Sequence, residues 1–265
     1  MSESTLAERY GSTALVAGAA SGIGFEFLRS FVAQGLDVIA LDHDAGALDE
    51  ACASLVDQGP GQALPAVVDL AAANVVAQVQ AAVGAREIGL FVYCAASIPF
   101  GRFVGQDFDS HDRAVAVNCR GPVLLSRLFA AEMAERGRGG IILLASMAAY
   151  QGNGWVATYA GTKAFNLILA ESLWWELRGD GVDVLGLAPG ATDTKGMRAS
   201  GSSIPEGMIL ADPKDVVLEG LEALGRRPSH VCGEDNRKLR KALNEMDHET
   251  AIDLMSGGTR ALCGD

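Results

Sequence analysis

Several kinds of sequence feature are missing from this 265-residue chain, and each absence excludes a class of protein. The five cysteines form neither a CxxC pair nor a cluster with histidine, which argues against a zinc site or a disulfide framework. No run reaches the roughly 18 apolar residues that a membrane-spanning helix needs. The N-terminus lacks the basic and then apolar pattern of a signal peptide. We therefore expect a cytoplasmic protein with no metal site and no membrane contact.

Positive charge is also scarce. The 21 lysines and arginines are outnumbered by 33 aspartates and glutamates, which gives a net charge of -12. Nucleic acid is therefore an unfavourable partner, because its phosphates would be repelled over most of the surface. The abundant residues are small and apolar, with 32 glycines and 49% hydrophobic residues. This composition predicts a compact fold in which helices pack closely on a sheet.

Short apolar runs alternate with longer helical stretches from residue 13 to about residue 232. The apolar runs are typical of strands covered on both faces, and they lie at Thr13–Ala17, Val38–Asp42, Ala63–Val68, Leu90–Ala95, Ile141–Ser146, Val182–Ala188 and His230–Cys232. The helical stretches lie at Ile23–Gln34, Ala45–Val56, Ala71–Val83, Ser110–Arg136, Thr158–Arg178 and Asp212–Leu224. This order predicts one α/β domain with a doubly wound parallel sheet of about seven strands and helices on both faces.

Within that single domain, residues 1–265, two regions depart from the pattern of the core, residues 11–232. Residues 194–211 are rich in glycine, serine and methionine and lack periodicity, which predicts a mobile loop. Its apolar side chains suggest a lid that closes over a substrate, although a surface excursion is the alternative. Residues 233–265 are charged and predict a peripheral tail with one helix, Asn236–Met246, and a loose end.

Three glycines follow the first strand and open the first long helix: Gly18, Gly22 and Gly24. Glycine at these points allows a tight turn, lets the backbone approach a pyrophosphate and lets the helix pack on the sheet. The helix N-terminus then offers unpaired N–H groups to phosphate. The sequence therefore predicts a dinucleotide-binding turn, with the spacing Gly-x-x-x-Gly-x-Gly.

Asp42 ends the second strand, 18 positions after Gly24. An acidic residue at this distance typically accepts hydrogen bonds from the adenosine ribose hydroxyls. A 2′-phosphate beside it would be repelled by the like charge of the carboxylate. The neighbouring positions hold Ser21 and His43 rather than a lysine or arginine that could offset this repulsion. We therefore expect NAD(H) rather than NADP(H). The alternative is that Asp42 only caps the following helix, a role that Asp44 could also fill.

Ser146, Tyr159 and Lys163 are the candidate catalytic residues. Tyr159 and Lys163 are spaced i, i+4 on one face of a predicted helix, and Ser146 ends a strand 13 residues before Tyr159. Hydride exchange at a carbonyl carbon requires a proton donor or acceptor at the oxygen. A phenol titrates near pH 10, so a neighbouring ammonium that lowers its pKa and a hydroxyl that holds the oxygen would suit this reaction.

Taken in order, these motifs resemble those of the short-chain dehydrogenase/reductase family over about residues 11–232. The similarity rests on the glycine turn, Asp69, Asn118, Ser146, Tyr159-Ala-Gly-Thr-Lys163 and Pro189-Gly190-Ala-Thr192-Asp-Thr194. It implies a Rossmann-like domain with Tyr159 as general acid/base, Ser146 on the substrate oxygen and Lys163 on the nicotinamide ribose. It also implies that Asn118 holds a relay water and that Asp69 meets the adenine ring. The implied NAD contacts are Gly18, Ser21, Gly22, Ile23, Gly24, Asp42, Asp69, Leu70, Ala95, Asn118, Tyr159, Lys163, Pro189, Gly190, Thr192 and Thr194.

The chain departs from the family pattern after the fourth strand. Asn-Asn-Ala-Gly is replaced by Tyr93-Cys94-Ala95-Ala96, so two amides that tie neighbouring strands are missing. Ala17 also stands where threonine is common. Cys94 is interpreted as a small buried residue rather than a nucleophile. These differences concern local hydrogen bonding and cofactor affinity rather than the type of reaction.

We therefore expect an NAD(H)-dependent oxidoreductase that interconverts a secondary alcohol and a ketone. A lipophilic substrate, steroid-like, aromatic or aliphatic, is favoured by apolar residues in loops that should rim the pocket: Ile98, Pro99, Phe100, Phe103, Trp155, Met197, Ile204, Met208 and Ile209. The alternatives are an NADP(H)-preferring carbonyl reductase and a silent nucleotide-sensing protein of the same fold. A homodimer or homotetramer is expected through the two longest helices, because Trp174 and Trp175 cannot both face the sheet.

Overall fold

The computed structural model describes residues 5–199 and 210–262. Within these ranges seven strands form one sheet in the order β3-β2-β1-β4-β5-β6-β7. Every neighbouring pair is parallel. The strands are β1 Thr13–Ala17, β2 Asp37–Asp42, β3 Ala63–Val67, β4 Leu90–Tyr93, β5 Gly139–Leu144, β6 Val182–Ala188 and β7 Ser229–Val231. The helices are α1 Leu6–Tyr10, α2 Gly22–Ala33, α3 Ala45–Ala53, α4 Val75–Val83, α5 Phe108–Val115, α6 Gly121–Arg136, α7 Ala157–Leu177, α8 Lys195–Ala199, α9 Pro213–Ala223, α10 Glu234–Glu245 and α11 His248–Leu262.

The core lies on both faces of the sheet, because successive side chains of a strand point in opposite directions. In β1, Val16 packs into the cluster that contains Phe27 and Phe31 of α2. Its neighbour Leu15 packs into the opposite cluster, with Phe129 of α6. The predicted doubly wound α/β fold is therefore confirmed. None of the helices within the described ranges is long and apolar enough to cross a membrane.

The predicted helix Ser110–Arg136 contains an interruption. A π-turn, Ala116–Arg120, joins α5 to α6, and the N–H of Gly121 donates to the carbonyl of Ala116, five residues earlier. Pro122 follows in the first turn of α6. Proline has no N–H, so the regular hydrogen-bond series of an α-helix cannot run through this point. Asn118 lies in the middle of this π-turn.

The prediction of a loose end after residue 246 is wrong for the described residues. A second helix, α11, follows α10 and packs against the segment that precedes α7. The N–H of Gly154 donates to Ser256 Oγ at 2.8 Å. With its amide oriented to satisfy both ends, Asn153 donates to Thr259 Oγ1 at 2.8 Å. The C-terminal tail is therefore packed against the rest of the fold, because α11 forms hydrogen bonds with a segment about a hundred positions earlier in the sequence.

Candidate active site

A cavity of about 950 Å³ opens at the carboxyl ends of the strands, where open α/β sheets bind ligands. With one exception, the predicted site residues line this cavity: Gly18, Ser21, Gly22, Ile23, Gly24, Asp42, Asp69, Leu70, Ala95, Ser146, Tyr159, Lys163, Pro189, Gly190, Thr192 and Thr194. The exception is Asn118, which is fully buried beside it. The sheet topology thus brings residues from seven separate segments of the chain to one place.

The glycine turn leaves no room for side chains. Gly18 has a φ of +84°, and a Cβ there would lie 2.6 Å from the backbone N of Ala95. A Cβ at Gly24 would overlap the carbonyl of Gly18. These constraints keep the first turn of α2 close to the segment that follows β4, and Gly22, Ile23 and Gly24 of that turn line the cavity. The turn therefore presents backbone rather than side chains to the cavity.

The Asp42 carboxylate is held against the glycine turn. Its Oδ2 accepts from the N–H of Ala20 at 3.1 Å, and its Oδ1 accepts from the N–H of His43 at 2.8 Å. Asp44, not Asp42, caps α3 by accepting from the N–H of Ala47 at 3.0 Å. The capping alternative for Asp42 is therefore excluded, and its carboxylate lines the cavity.

Asp69 is paired with a residue that sequence reasoning missed, Arg113 of α5. The two guanidinium nitrogens donate to the two carboxylate oxygens at 3.0 and 3.2 Å. Hydrogen bonds from Arg113, and then from the N–H of Ala71, lower the pKa of the Asp69 carboxyl. Both side chains line the cavity. Nothing in the local sequence marks Arg113, because its partner is 44 residues away.

Ser146, Tyr159 and Lys163 come together as the i, i+4 spacing predicts. Tyr159 lies in the first turn of α7 and Lys163 one turn later, with its Nζ 5.6 Å from the tyrosine ring centroid. Lys163 is only 2% exposed, and its Nζ donates to the carbonyl of Leu144 at 2.7 Å. That bond anchors the lysine to the end of β5, next to Ser146.

Burial controls the protonation of this trio. It raises the pKa of the Tyr159 phenol, and the hydrogen bond with Ser146 opposes part of that rise. Burial also lowers the pKa of Lys163 to about 8, while Cys94 and Cys119 act in the opposite direction. The sequence-based expectation that Lys163 brings the Tyr159 pKa below its usual value is not met by these residues alone.

Asn118 ties two parts of the site together. Its Oδ1 accepts from the N–H of Ser97 at 2.8 Å, and its Nδ2 donates to the Ser97 carbonyl at 2.8 Å. The same Nδ2 donates to Thr162 Oγ1 at 3.0 Å, and that hydroxyl donates to the Tyr159 carbonyl at 2.8 Å. The side-chain amide therefore links the segment after β4 to the first turns of α7.

The segment Tyr93–Ala96 keeps its connection to β1 without the two family amides. The N–H groups of Cys94 and Ala95 both donate to the Ala17 carbonyl at 2.9 Å. Burial raises the pKa of the Cys94 thiol well above its usual range, although Lys163 opposes this. A thiol that stays protonated is a poor nucleophile, which agrees with the interpretation of Cys94 as a buried structural residue.

The apolar part of the cavity lining comes largely from the C-terminal helices. Leu239 of α10 and Leu254, Met255 and Leu262 of α11 belong to it, together with Ile98 and Phe100. Among the other predicted rim residues, Met197 of α8 also lines the cavity, whereas Pro99, Phe103 and Trp155 do not. The helical spacing of the apolar residues in α11 is the sequence signal from which this helix could have been predicted.

Most of the predicted lid cannot be compared with the structure. Residues 200–209, including Ile204, Met208 and Ile209, lie outside the described residues. The two ends of the predicted 194–211 loop are nevertheless held together. The N–H of Asp193 donates to the Ala211 carbonyl at 2.9 Å, and the N–H of Ala211 donates to the Ala191 carbonyl at 3.0 Å.

The chain resembles known oxidoreductases along most of its length. A 7beta-hydroxysteroid dehydrogenase of Clostridium sardiniense is 28% identical over 246 residues, which are 92% of this chain and 94% of that protein. A structure solved in a study of 7beta-hydroxysteroid dehydrogenase stereoselectivity covers 95% of this chain and 99% of its own, with a TM-score of 0.89. At 24% identity that likeness shows the fold alone.

A short-chain dehydrogenase from Sphingobium yanoikuyae, solved in complex with NADPH, is 26% identical with a TM-score of 0.75. It matches over 88% of this chain and 92% of its own. The family model for short chain dehydrogenases matches residues 12–204. That range includes the glycine turn, Ser146, Tyr159 and Lys163, and the relay residue Asn118. The chain is an oxidoreductase of the short-chain dehydrogenase family.

Proposed function

We propose that this chain interconverts a secondary alcohol and a ketone, with NAD(H) as the cofactor and a lipophilic molecule as the substrate. The observation that carries the proposal is one cavity with three parts. The glycine turn, an apolar wall from α10 and α11, and the trio of Ser146, Tyr159 and Lys163 all line it. Hydride exchange needs this arrangement, since the nicotinamide and the carbonyl must meet beside the proton donor.

When bound, NADH would supply the hydride for the carbonyl carbon. In that direction Tyr159 would donate its phenolic proton to the carbonyl oxygen, and the Ser146 hydroxyl would donate a hydrogen bond to the same oxygen. Because burial raises the pKa of Tyr159, the phenol is protonated at neutral pH, the state that ketone reduction requires. Alcohol oxidation needs the phenolate and is therefore favoured by alkaline pH.

Proton return to Tyr159 would run along Lys163 and Asn118. The Asn118 amide is already bonded to Ser97 and Thr162, so its backbone carbonyl is the group it can offer to a relay water. In an α-helix that carbonyl would accept from the N–H of residue 122, which is Pro122 and has none. The sequence thus supports the relay that the family resemblance implies.

Asp42 supports the choice of NAD(H). Its carboxylate sits beside the glycine turn, where a 2′-phosphate would meet a like charge. Among the described residues, the lysines and arginines that line the cavity are Arg113 and Lys163. Arg113 is already paired with Asp69, and Lys163 already donates to the carbonyl of Leu144. The NADPH complex of the Sphingobium relative shows that members of this family differ in cofactor. An NADP(H) preference is therefore the outcome that would refute this part of the proposal.

The apolar end of the cavity supports a bulky lipophilic substrate. Leu254, Met255 and Leu262 present hydrocarbon surface, and burial of such surface by a ligand is favourable in proportion to its area. The Clostridium relative is named for a hydroxysteroid. The test is a screen of hydroxysteroids, ketosteroids, bulky aromatic ketones and short aliphatic ketones, each with NADH and NADPH, followed by nicotinamide absorbance. Turnover restricted to short polar ketones would overturn the substrate assignment.

A second copy of the chain is the proposed partner. Phe165, Ile168 and Trp175 are exposed on one side of α7, whereas Trp174 packs towards the core. The two tryptophans thus diverge as their spacing predicts, and Trp175 is available for an interface. Light scattering should report a dimer or tetramer, and Trp175→Glu should shift it towards monomer while Val56→Glu, an exposed control remote from α7, should not. A monomeric wild type at micromolar concentration would refute the proposal.

A further inference from the structure

A buried tyrosine that the mechanism does not use, Tyr93, ends β4 and reaches the π-turn that carries Asn118. It is 1% exposed, and its hydroxyl donates to the carbonyl of Val117 at 2.6 Å. Burial raises the pKa of this phenol far above its usual range. The hydroxyl therefore remains a donor at every working pH and cannot act as a base.

The Val117 carbonyl needs that donor because its helix supplies none. The N–H of Gly121 is taken by Ala116 in the π-turn. The next N–H in the same register would belong to residue 122, which is proline. A buried carbonyl without a partner is strongly unfavourable. The Tyr93 hydroxyl thus completes a hydrogen-bond series that Pro122 interrupts.

Gly121 is fitted to the same hydroxyl. A Cβ at position 121 would overlap Tyr93 Oη and would lie 3.1 Å from its Cζ. Any side chain at residue 121 would therefore displace the phenol from the Val117 carbonyl. Tyr93, Gly121 and Pro122 therefore form one unit: Pro122 leaves the Val117 carbonyl without a helical donor, Tyr93 supplies a donor, and Gly121 leaves room for it.

The position of this unit gives it a consequence for the reaction. Val117 directly precedes Asn118, whose amide joins Ser97 to Thr162 and through it to the backbone of Tyr159. We propose that Tyr93 is a positioning residue, whose hydroxyl fixes the π-turn so that Asn118 is held in register with the catalytic helix α7. The proposal rests on the proposed function, in which Asn118 serves the proton relay.

The test compares Tyr93→Phe with Tyr10→Phe. Tyr10 is a matched control, because it is 2% exposed and its hydroxyl donates to Asp183 Oδ2 at 2.8 Å, away from the cavity. Tyr93→Phe should lower kcat by about fivefold or more while the KM values for cofactor and substrate change by less than about twofold. The solvent deuterium isotope effect on kcat should rise, since proton movement becomes slower. Tyr10→Phe should change neither. Equal kinetics in the two variants would overturn the proposal.

Gly121→Ala approaches the same contact from the other side. The single variant should lose thermal stability, and the double variant Tyr93→Phe, Gly121→Ala should recover part of it, because the overlapping hydroxyl is gone. Its kcat should stay as low as that of Tyr93→Phe. Recovery of kcat together with stability would show that the hydroxyl only fills space, and the positioning role would be rejected.

Hydrogen exchange separates this proposal from the proposed function. In Tyr93→Phe the amides of Ser97 and of residues 117–121 should exchange faster than in Tyr10→Phe. Unchanged exchange there would overturn the Tyr93 proposal whether or not a substrate is known. If the wild type oxidises or reduces nothing in the substrate screen while exchange behaves as expected, the proposed function fails and the structural role of Tyr93 stands.

Discussion

Two groups of cavity-lining residues are built by different means: the glycine turn, to which we assign the cofactor end, and the apolar side chains of α11, to which we assign the substrate end. The cofactor end is formed by backbone, with Gly18 and Gly24 so close to their neighbours that no side chain fits. The substrate end is formed by side chains, chiefly Leu254, Met255 and Leu262 of α11. A backbone surface suits a ligand whose shape never changes, whereas side chains can be exchanged one at a time. We therefore expect binding of the cofactor's pyrophosphate to depend on backbone shape, whereas the choice between NAD(H) and NADP(H) and the choice of substrate depend on side chains that can be exchanged.

The largest expected effect comes from removing the Tyr159 hydroxyl. Tyr159→Phe should lower kcat by about a hundredfold or more, because the proton-transfer group is lost. Binding of NADH, measured by fluorescence titration, should be nearly unchanged, because the ring remains. Tyr150→Phe is the control, since Tyr150 stacks on Arg240 and does not line this cavity. A Tyr159→Phe enzyme with more than about a tenth of wild-type turnover would remove Tyr159 from its role.

The cofactor end should respond to charge. Asp42→Ala combined with His43→Arg should raise the ratio of NADP(H) to NAD(H) efficiency by about tenfold, which corresponds to about 1.4 kcal/mol. The reason is that a carboxylate is removed and a cation is added where a 2′-phosphate would lie. Asp44→Asn is the control, because that residue caps α3 instead. A wild type that already prefers NADPH in steady-state kinetics would contradict this assignment of Asp42.

The substrate end should respond to apolar volume. Met255→Ala should raise the KM for a lipophilic ketone by about fivefold, because apolar contact with the ligand is lost. The KM for NADH should not change, since none of the proposed cofactor contacts lies in α11. Asp253→Ala on the same helix is the matched control, because it is exposed and outside the cavity. Equal effects of the two variants would mean that α11 does not contact the substrate.

The smallest expected effect is a pH dependence of the KM for the cofactor. The pKa of Lys163 is lowered to about 8 by burial, so its charge is present below that pH and is lost as the pH rises through it. We expect the KM for the cofactor to rise modestly over this range, because the ammonium is proposed to bind the nicotinamide ribose. In Lys163→Met the KM should be high and should not change over the same range. A wild-type KM that is flat from pH 7 to pH 9 would exclude this role of the charge.

How far the sequence predicts the molecule depends on where each constraint arises. The glycine turn, Asp42 and the trio of Ser146, Tyr159 and Lys163 are local patterns, with their spacing set by one turn or one helix. They were predicted, and the structure brings them together. The pairing of Asp69 with Arg113 joins residues far apart in the sequence, so no local pattern announces it.

Two predictions are wrong for the same physical reason: the loose end after residue 246 and the uninterrupted helix Ser110–Arg136. In both places the stabilising partner is far away in the sequence. The segment Ser256-Gly257-Gly258 has a low helix propensity, yet it is helical. Gly154 donates to Ser256 and Asn153 donates to Thr259, both from about a hundred positions away, and these bonds hold the helix in place. The π-turn had a visible signal in Pro122, which interrupts a helical pattern. The donor that stabilises the turn comes from another strand and could not be identified from the sequence around it.

The unit formed by Tyr93, Gly121 and Pro122 has a consequence for how this sequence can change. Replacing Tyr93 by the asparagine common in the family would leave the Val117 carbonyl without its donor and a gap where the ring now packs. Replacing Gly121 alone would drive the phenol out of place. Each of these two replacements alone disrupts the π-turn. The effect of a substitution at one of the three positions therefore depends on the residues at the other two. A design that transplants the family tetrad into this chain has to change the helix opposite in the same step.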